Sequence, residues 1–180
     1  MKNEWTKERQ DLIEENELYK KENKKITEDI KELQRTIEIM DKDKRKNNLI
    51  ISGLEIDTDD SATLKEIATN MIGKHLGVNI NIKRACKIGI RTCLIELGNE
   101  TEKTAILRNR NKLKNVEPKK IWITEDLTKK EREKMKSLRD KAREMRDKGK
   151  TVKIGYNKIT VDGKEWRWNY NEEKVVSPKN

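Results

Sequence analysis

The chain has no phenylalanine, one histidine, two cysteines and two prolines among 180 residues, and aromatic side chains make up only 4% of it. Each shortage closes off a class of chemistry. Cys86 and Cys93 do not stand at metal-ligand spacing, and His75 is the sole histidine, which argues against a zinc site. Two cysteines in a lysine-rich chain without a signal peptide fit a reducing compartment. No apolar run approaches the roughly 20 residues that span a membrane. There is also no Gly-rich phosphate loop and no nucleophile with a nearby histidine. The expectation is a protein that is not an enzyme, with no cofactor, no metal, no membrane and no small-molecule substrate.

What is present is charge. Charged residues are 42% and hydrophobic residues 32%, too little apolar matter for a single large core. Residues 1–46 carry 13 basic and 13 acidic side chains, net 0. Residues 47–127 carry 13 and 11, net +2, and residues 128–180 carry 17 and 9, net +8. A neutral first part and a basic last part suggest assembly at one end and a polyanion partner at the other.

Residues 1–46 contain no Pro and no Gly, and Trp5, Leu12, Tyr19, Ile26, Leu33 and Met40 recur at a spacing of seven. Taken as d positions of a heptad, they are each followed four residues on, up to Leu33, by an a position: Arg9, Asn16, Asn23, Ile30 and Ile37. This is a coiled-coil seam, polar at its start and firm from Ile26 to Met40. The oligomer seam is assigned to Leu12, Tyr19, Ile26, Ile30, Leu33, Ile37 and Met40. The pattern suits two or three strands. At about 1.5 Å per residue the rod would be on the order of 60 Å long. The plainer alternative is one solvated helix folded back on the rest.

The middle reads as β-α-β-β-α-β, the split arrangement of ferredoxin-like domains. Asn48–Leu54 is the first strand. A helix with Leu64, Ile67, Ala68, Met71, Ile72 and Leu76 inward stops at Gly77. Asn79–Gly89 and Thr92–Leu97 are strands, with Ile80, Ile82, Cys93, Ile95 and Leu97 inward. Asn99 with Glu102 resembles a capping box for a helix whose inner positions are Ile106, the Arg110 stem and Leu113. Pro118 breaks the chain before a fourth strand, Lys120–Thr124, with Ile121 and Ile123 inward. The acids of Asp57–Ser61 suit a helix N-terminus better than a metal.

Thr128 with Glu131 caps a basic helix running to about Lys148. Its thin apolar stripe is Met135, Leu138, Ala142 and Met145. Three short strands follow, around Val152–Tyr156, Ile159–Val161 and Trp166–Trp168, with turns at Asn157-Lys158 and Asp162-Gly163. The domains expected are therefore 1–46 coiled coil, 47–126 central domain, 127–170 C-terminal α/β domain and 171–180 flexible tail. The fold class is α+β.

Phosphate binding is the chemistry this composition favours. Set against the RNA-recognition motif, Leu49–Leu54 fits the first strand, with Ile50 where an aromatic normally stands. Thr92 and Leu94 replace the two usual aromatics of the third strand. Bases are normally stacked on those rings, so sequence reading should be weak. Trp122 suits either a stack on one base or a plug between domains.

The order of coiled coil, Arg45-Lys-Asn-Asn-Leu-Ile-Ile-Ser-Gly-Leu54, Ile82-Lys-Arg-Ala-Cys-Lys-Ile88, Thr124-Glu-Asp-Leu-Thr128 and Asp162-Gly163 resembles one family. It is that of the first-open-reading-frame, RNA-packaging proteins of LINE-type non-LTR retrotransposons, and the similarity spans about residues 30–168. The resemblance implies a homotrimer, a central RNA-recognition-motif domain and a small C-terminal domain. It implies cooperative coating of single-stranded nucleic acid into ribonucleoprotein particles, and nucleic-acid chaperone activity. Arg45 and Lys46 match the family's basic pair before the first strand, Arg84 and Lys87 its second-strand positions, and Arg132 or Lys136 its last-helix positions. Cys86 stands where an aromatic is often seen.

The nucleic-acid-binding residues expected are Arg45, Lys46, Arg84, Lys87, Arg91, Lys120, Arg132, Lys136 and Arg139. The partner expected is single-stranded RNA, or single-stranded DNA on the same chemistry, in cytoplasmic ribonucleoprotein particles with nuclear residence also open. The alternative is a structural coiled-coil oligomer whose small domains bind protein and no nucleic acid.

Overall fold

The computed structural model describes residues 2–116, 120–155, 157–169 and 174–177. The chain divides into two units, Met1–Lys44 and Arg45–Asn180. Together they form an α+β protein with one long helix and two four-stranded antiparallel sheets.

Without Pro or Gly to interrupt it, the first segment is a single helix, α1 (Lys2–Arg45, 44 residues). Its polar side chains bond one turn away along the helix: Tyr19 Oη donates to Glu15 at 2.7 Å, and Thr27 Oγ1 donates to the Asn23 carbonyl at 2.7 Å. Such pairs add only a few tenths of a kcal/mol each. The apolar stripe is bare. Leu12, Tyr19, Ile26, Ile30, Leu33, Ile37 and Met40 are all exposed, Met40 by 67%.

The second unit begins with β1 (Asn48–Ser52), α2 (Ser61–Leu76), β2 (Ile82–Gly89), β3 (Thr92–Leu97), α3 (Glu100–Asn109) and β4 (Trp122–Glu125). The sheet order is β2-β3-β1-β4, with every pair antiparallel. Alternation puts Leu49, Ile51, Ala85, Cys93, Ile95, Leu97 and Ile123 on one face, where they are buried in one cluster with Leu64, Ala68, Ile72 and Leu76 of α2 and Ile106 of α3. The opposite face carries Asn48, Ile50, Ser52, Thr92, Leu94, Arg84, Cys86, Trp122 and Thr124.

Local chemistry sets the element ends. Asp60 caps α2: its carboxylate accepts from Thr63 N at 2.8 Å, which holds its pKa below the ordinary value. Gly77 ends α2 in the left-handed conformation at φ 69°. β2 starts at Ile82 rather than Asn79. The Glu102 carboxylate of α3 takes the Asn81 N–H at 3.1 Å and the Gly98 N–H at 3.1 Å, so that backbone is bound to a side chain and not to a ladder. Asn99 does cap α3 through Glu102 N, but the Glu102 carboxylate is spent on these two amides, at the open end of the β2–β3 hairpin. Arg110 is exposed and its stem is not an inner position. The helix tightens into a 3₁₀ turn, Arg110–Asn115, and Leu113 is buried as expected.

A second core follows. α4 (Lys129–Asp147) starts with the full capping box of Thr128 and Glu131. It packs on a meander of β5 (Val152–Gly155), β6 (Lys158–Val161), β7 (Lys164–Asn169) and β8 (Lys174–Val176). Leu138, Ala142 and Met145 are buried with Ile159 and Val161, and Trp166 and Val175 pack against them. The meander has four strands, not the three expected. Lys174–Val176, inside the stretch expected to be a flexible tail, pairs with β7 in the register Trp168↔Val175. The break at Pro118, Tyr156 at the end of an expected strand, and tail residues 171–173 and 178–180 lie outside the described residues.

Candidate nucleic-acid interface

The nine basic residues expected to bind nucleic acid do not form one patch. Arg45 Nη1 lies 2.8 Å from Asp126 Oδ1, and that carboxylate is only 5% exposed. Asn48 Nδ2 donates to the other oxygen of Asp126 at 3.1 Å. Arg45 is thus tied to a largely buried acid. Lys46 is exposed, and its carbonyl accepts from Lys103 Nζ at 2.7 Å.

On β2 the pairs Arg84↔Glu96 and Lys87↔Cys93 place the two basic side chains on opposite faces. Arg84 is exposed on the face opposite the core. Lys87 lies on the helix side, 3.7 Å from Asp59. Arg91, in the β2–β3 turn, donates from Nη2 to the Gly53 carbonyl at 2.9 Å, while Gly53 N–H donates to the Arg91 carbonyl at 2.8 Å. Lys120 passes the same glycine. A Cβ on Gly53 would sit 2.2 Å from the Lys120 carbonyl oxygen, and Gly53 has φ +95°. Only glycine fits there. Trp122, paired with Ser52, stands beside this corner and is 57% exposed. It is not a plug between domains.

Arg132, Lys136 and Arg139 share one face of α4, and all are exposed. Lys129, Arg143 and Arg146 extend the same face. These six recur at intervals of three and four residues, which keeps them in line over about 25 Å of helix. The last three were absent from the expected site, although their spacing is readable in the sequence. Arg143 is 3.9 Å from Asp140, and Arg146 Nη2 donates to the Val152 carbonyl at 3.3 Å. The flank of this face holds Glu144, gripped by Lys141 at 2.7 Å and Lys148 at 2.6 Å, which lower its pKa to about 2.

The opposite side of α4 uses lysine as core material. Lys134, only 7% exposed, has its ammonium 6.0 Å from the Trp168 ring centre, and Lys141 lies 5.8 Å from Trp166. Seven residues on the helix and two on the strand match each other, giving a two-rung cation–π clasp.

No group of three or more His, Cys, Asp or Glu could hold a metal ion among the described residues. Cys93 is buried, and burial pushes its thiol pKa up, which suppresses the thiolate. No described helix is long and apolar enough to cross a membrane.

No protein-family model matches the chain, and no curated protein matches it. Its function is therefore read from these surfaces.

Proposed function

We propose that the chain is a homo-oligomeric, sequence-tolerant single-stranded RNA-binding protein that coats retroelement RNA into a ribonucleoprotein, with nucleic-acid chaperone activity as a consequence of that coating. The observation that carries the RNA reading is the exposed basic face of α4, six cations in line on a helix whose other side is packed. Cations so placed contact phosphates in any sequence, and their binding weakens with salt. The β2-β3-β1-β4 order is that of a ferredoxin-like sheet, the scaffold of the RNA-recognition motif. Ile50, Thr92 and Leu94 on the face opposite its core supply no aromatic pair, which favours sequence tolerance. The bare heptad stripe of α1 supports self-association into two or three strands. The retroelement origin rests on the sequence resemblance.

The test is fluorescence anisotropy of a labelled single-stranded RNA across salt concentrations, with duplex DNA as competitor. A log–log salt slope near −0.7 per neutralised phosphate and resistance to the duplex are expected. Replacing Arg132, Lys136 and Arg139 together by serine should flatten that slope by about 2. A parent chain that does not bind at low salt overturns the reading. The exposed stripe of α1 favours one second reading, a structural coiled-coil oligomer. An oligomer of normal mass with no RNA affinity would establish it.

A further inference from the structure

Among the described residues of the second unit, the exposed large apolar side chains are Ile88, Ile90, Trp122 and Ile154, and only Trp122 has a π face. Its neighbours are basic. Trp122 pairs with Ser52, and the next residue, Gly53, is the point on which Arg91 and Lys120 converge. Arg91 is fixed there by one guanidinium bond out of five N–H donors, and its side chain is otherwise turned to solvent. Lys120 meets Gly53 through its backbone carbonyl, and the residue is exposed. The absence of a Cβ at Gly53 is what lets the two segments close in. An exposed indole beside a corner that carries two exposed basic residues is complementary to a nucleotide, whose base is a flat π system and whose phosphate is an anion.

We infer that this corner of the sheet is a stacking site for one base of single-stranded RNA, with Trp122 under the base and Arg91 and Lys120 on the adjoining phosphates. The inference rests on the RNA-binding reading and adds to it a contact that α4 does not offer. The clasped tryptophans of β7 face lysines of α4, whereas Trp122 is exposed on the sheet face opposite the core that α2 and α3 cover. The site has no shape for one base over another, so it strengthens binding without selecting sequence.

The experiment compares a short oligouridine RNA with an abasic oligomer of equal length and charge, using the full chain. The parent should bind the oligouridine about tenfold tighter than the abasic oligomer, the order of one base–aromatic stack. Trp122→Leu should erase that difference while leaving abasic binding unchanged. Trp122→Phe should restore most of it. Lys120→Gln should weaken both ligands alike. Equal binding of both ligands by the parent overturns the stack but leaves the coating reading intact. Binding of neither ligand overturns both. A Trp122→Leu chain that binds RNA normally but changes its oligomeric mass would make the indole a protein contact, and overturn the stack.

Discussion

The two sheet modules of the second unit solve the same folding problem with different materials. Among the described residues, the β1–β4 module buries 17 apolar side chains in its cluster, and the α4–meander module buries five. Net charge runs the other way, +2 over residues 47–127 and +8 over residues 128–180. A chain segment that commits its helix surface to cations has few positions left for a core. The smaller module compensates with amphipathic side chains: the buried stem of Lys134 and the half-buried rings of Trp166 and Trp168 supplement the aliphatic residues. The lesson is that a basic surface and a dry core compete for residues in a small domain, and aromatic–lysine contacts ease the competition.

The largest effect should come from removing core volume where little exists. Leu138→Ala, at a fully buried site, should cost about 3 kcal/mol. Hydrogen exchange should then show the α4–meander amides opening while those of β1 and β3 stay protected. Simultaneous opening of both would mean that the two cores fold as one. Gly53→Ala is the counterpart in the larger module. Its Cβ meets the Lys120 carbonyl and its φ of +95° strains any L side chain, so a loss of about 2 kcal/mol is expected in chemical denaturation. The large core should nonetheless keep that module folded.

Lys134→Met keeps the stem and removes the charge from the clasp. A loss of about 1 kcal/mol is expected, a fall on the order of 5 °C in the melting of the small module. An unchanged melting temperature would mean that the contact is packing alone. The smallest effect concerns acid. Glu144 has a folded pKa of about 2, below its ordinary 4.5, so its contribution is present above 4.5 and is lost as pH falls toward 2. Glu144→Gln should lower the melting temperature slightly at pH 7, and the two proteins should converge near pH 2. Solvent screens this exposed pair, so the difference at pH 7 should be small.

Much of the fold was legible because its signals are local. Heptad spacing announced α1, Gly77 ended α2, and Thr128 with Glu131 opened α4. What escaped depends on pairing and contacts that the local pattern does not display. β8 is three residues long, and only the neighbouring β7 gives it a ladder. The start of β2 was displaced by a carboxylate 21 residues away, Glu102 on Asn81. The candidate site was legible as charge but not as geometry. A lysine in the sequence does not reveal that Lys87 faces Asp59, or that Arg45 is held by Asp126. The alternation of β2 should have separated Arg84 from Lys87, since residues three apart on a strand lie on opposite faces.

On the proposed self-association, the bare stripe on α1 would tie part of this molecule to its own concentration. A helix of 44 residues with its apolar side uncovered draws little stability from within the chain. If copies of the chain cover it, mass action sets its melting, and tenfold dilution lowers that transition while the sheet modules melt where they did before. If the chain also coats RNA as proposed, coating would have a built-in threshold: scarce protein would have a weakly ordered arm and bind one copy at a time, and abundant protein would have a stiff one and bind as a group.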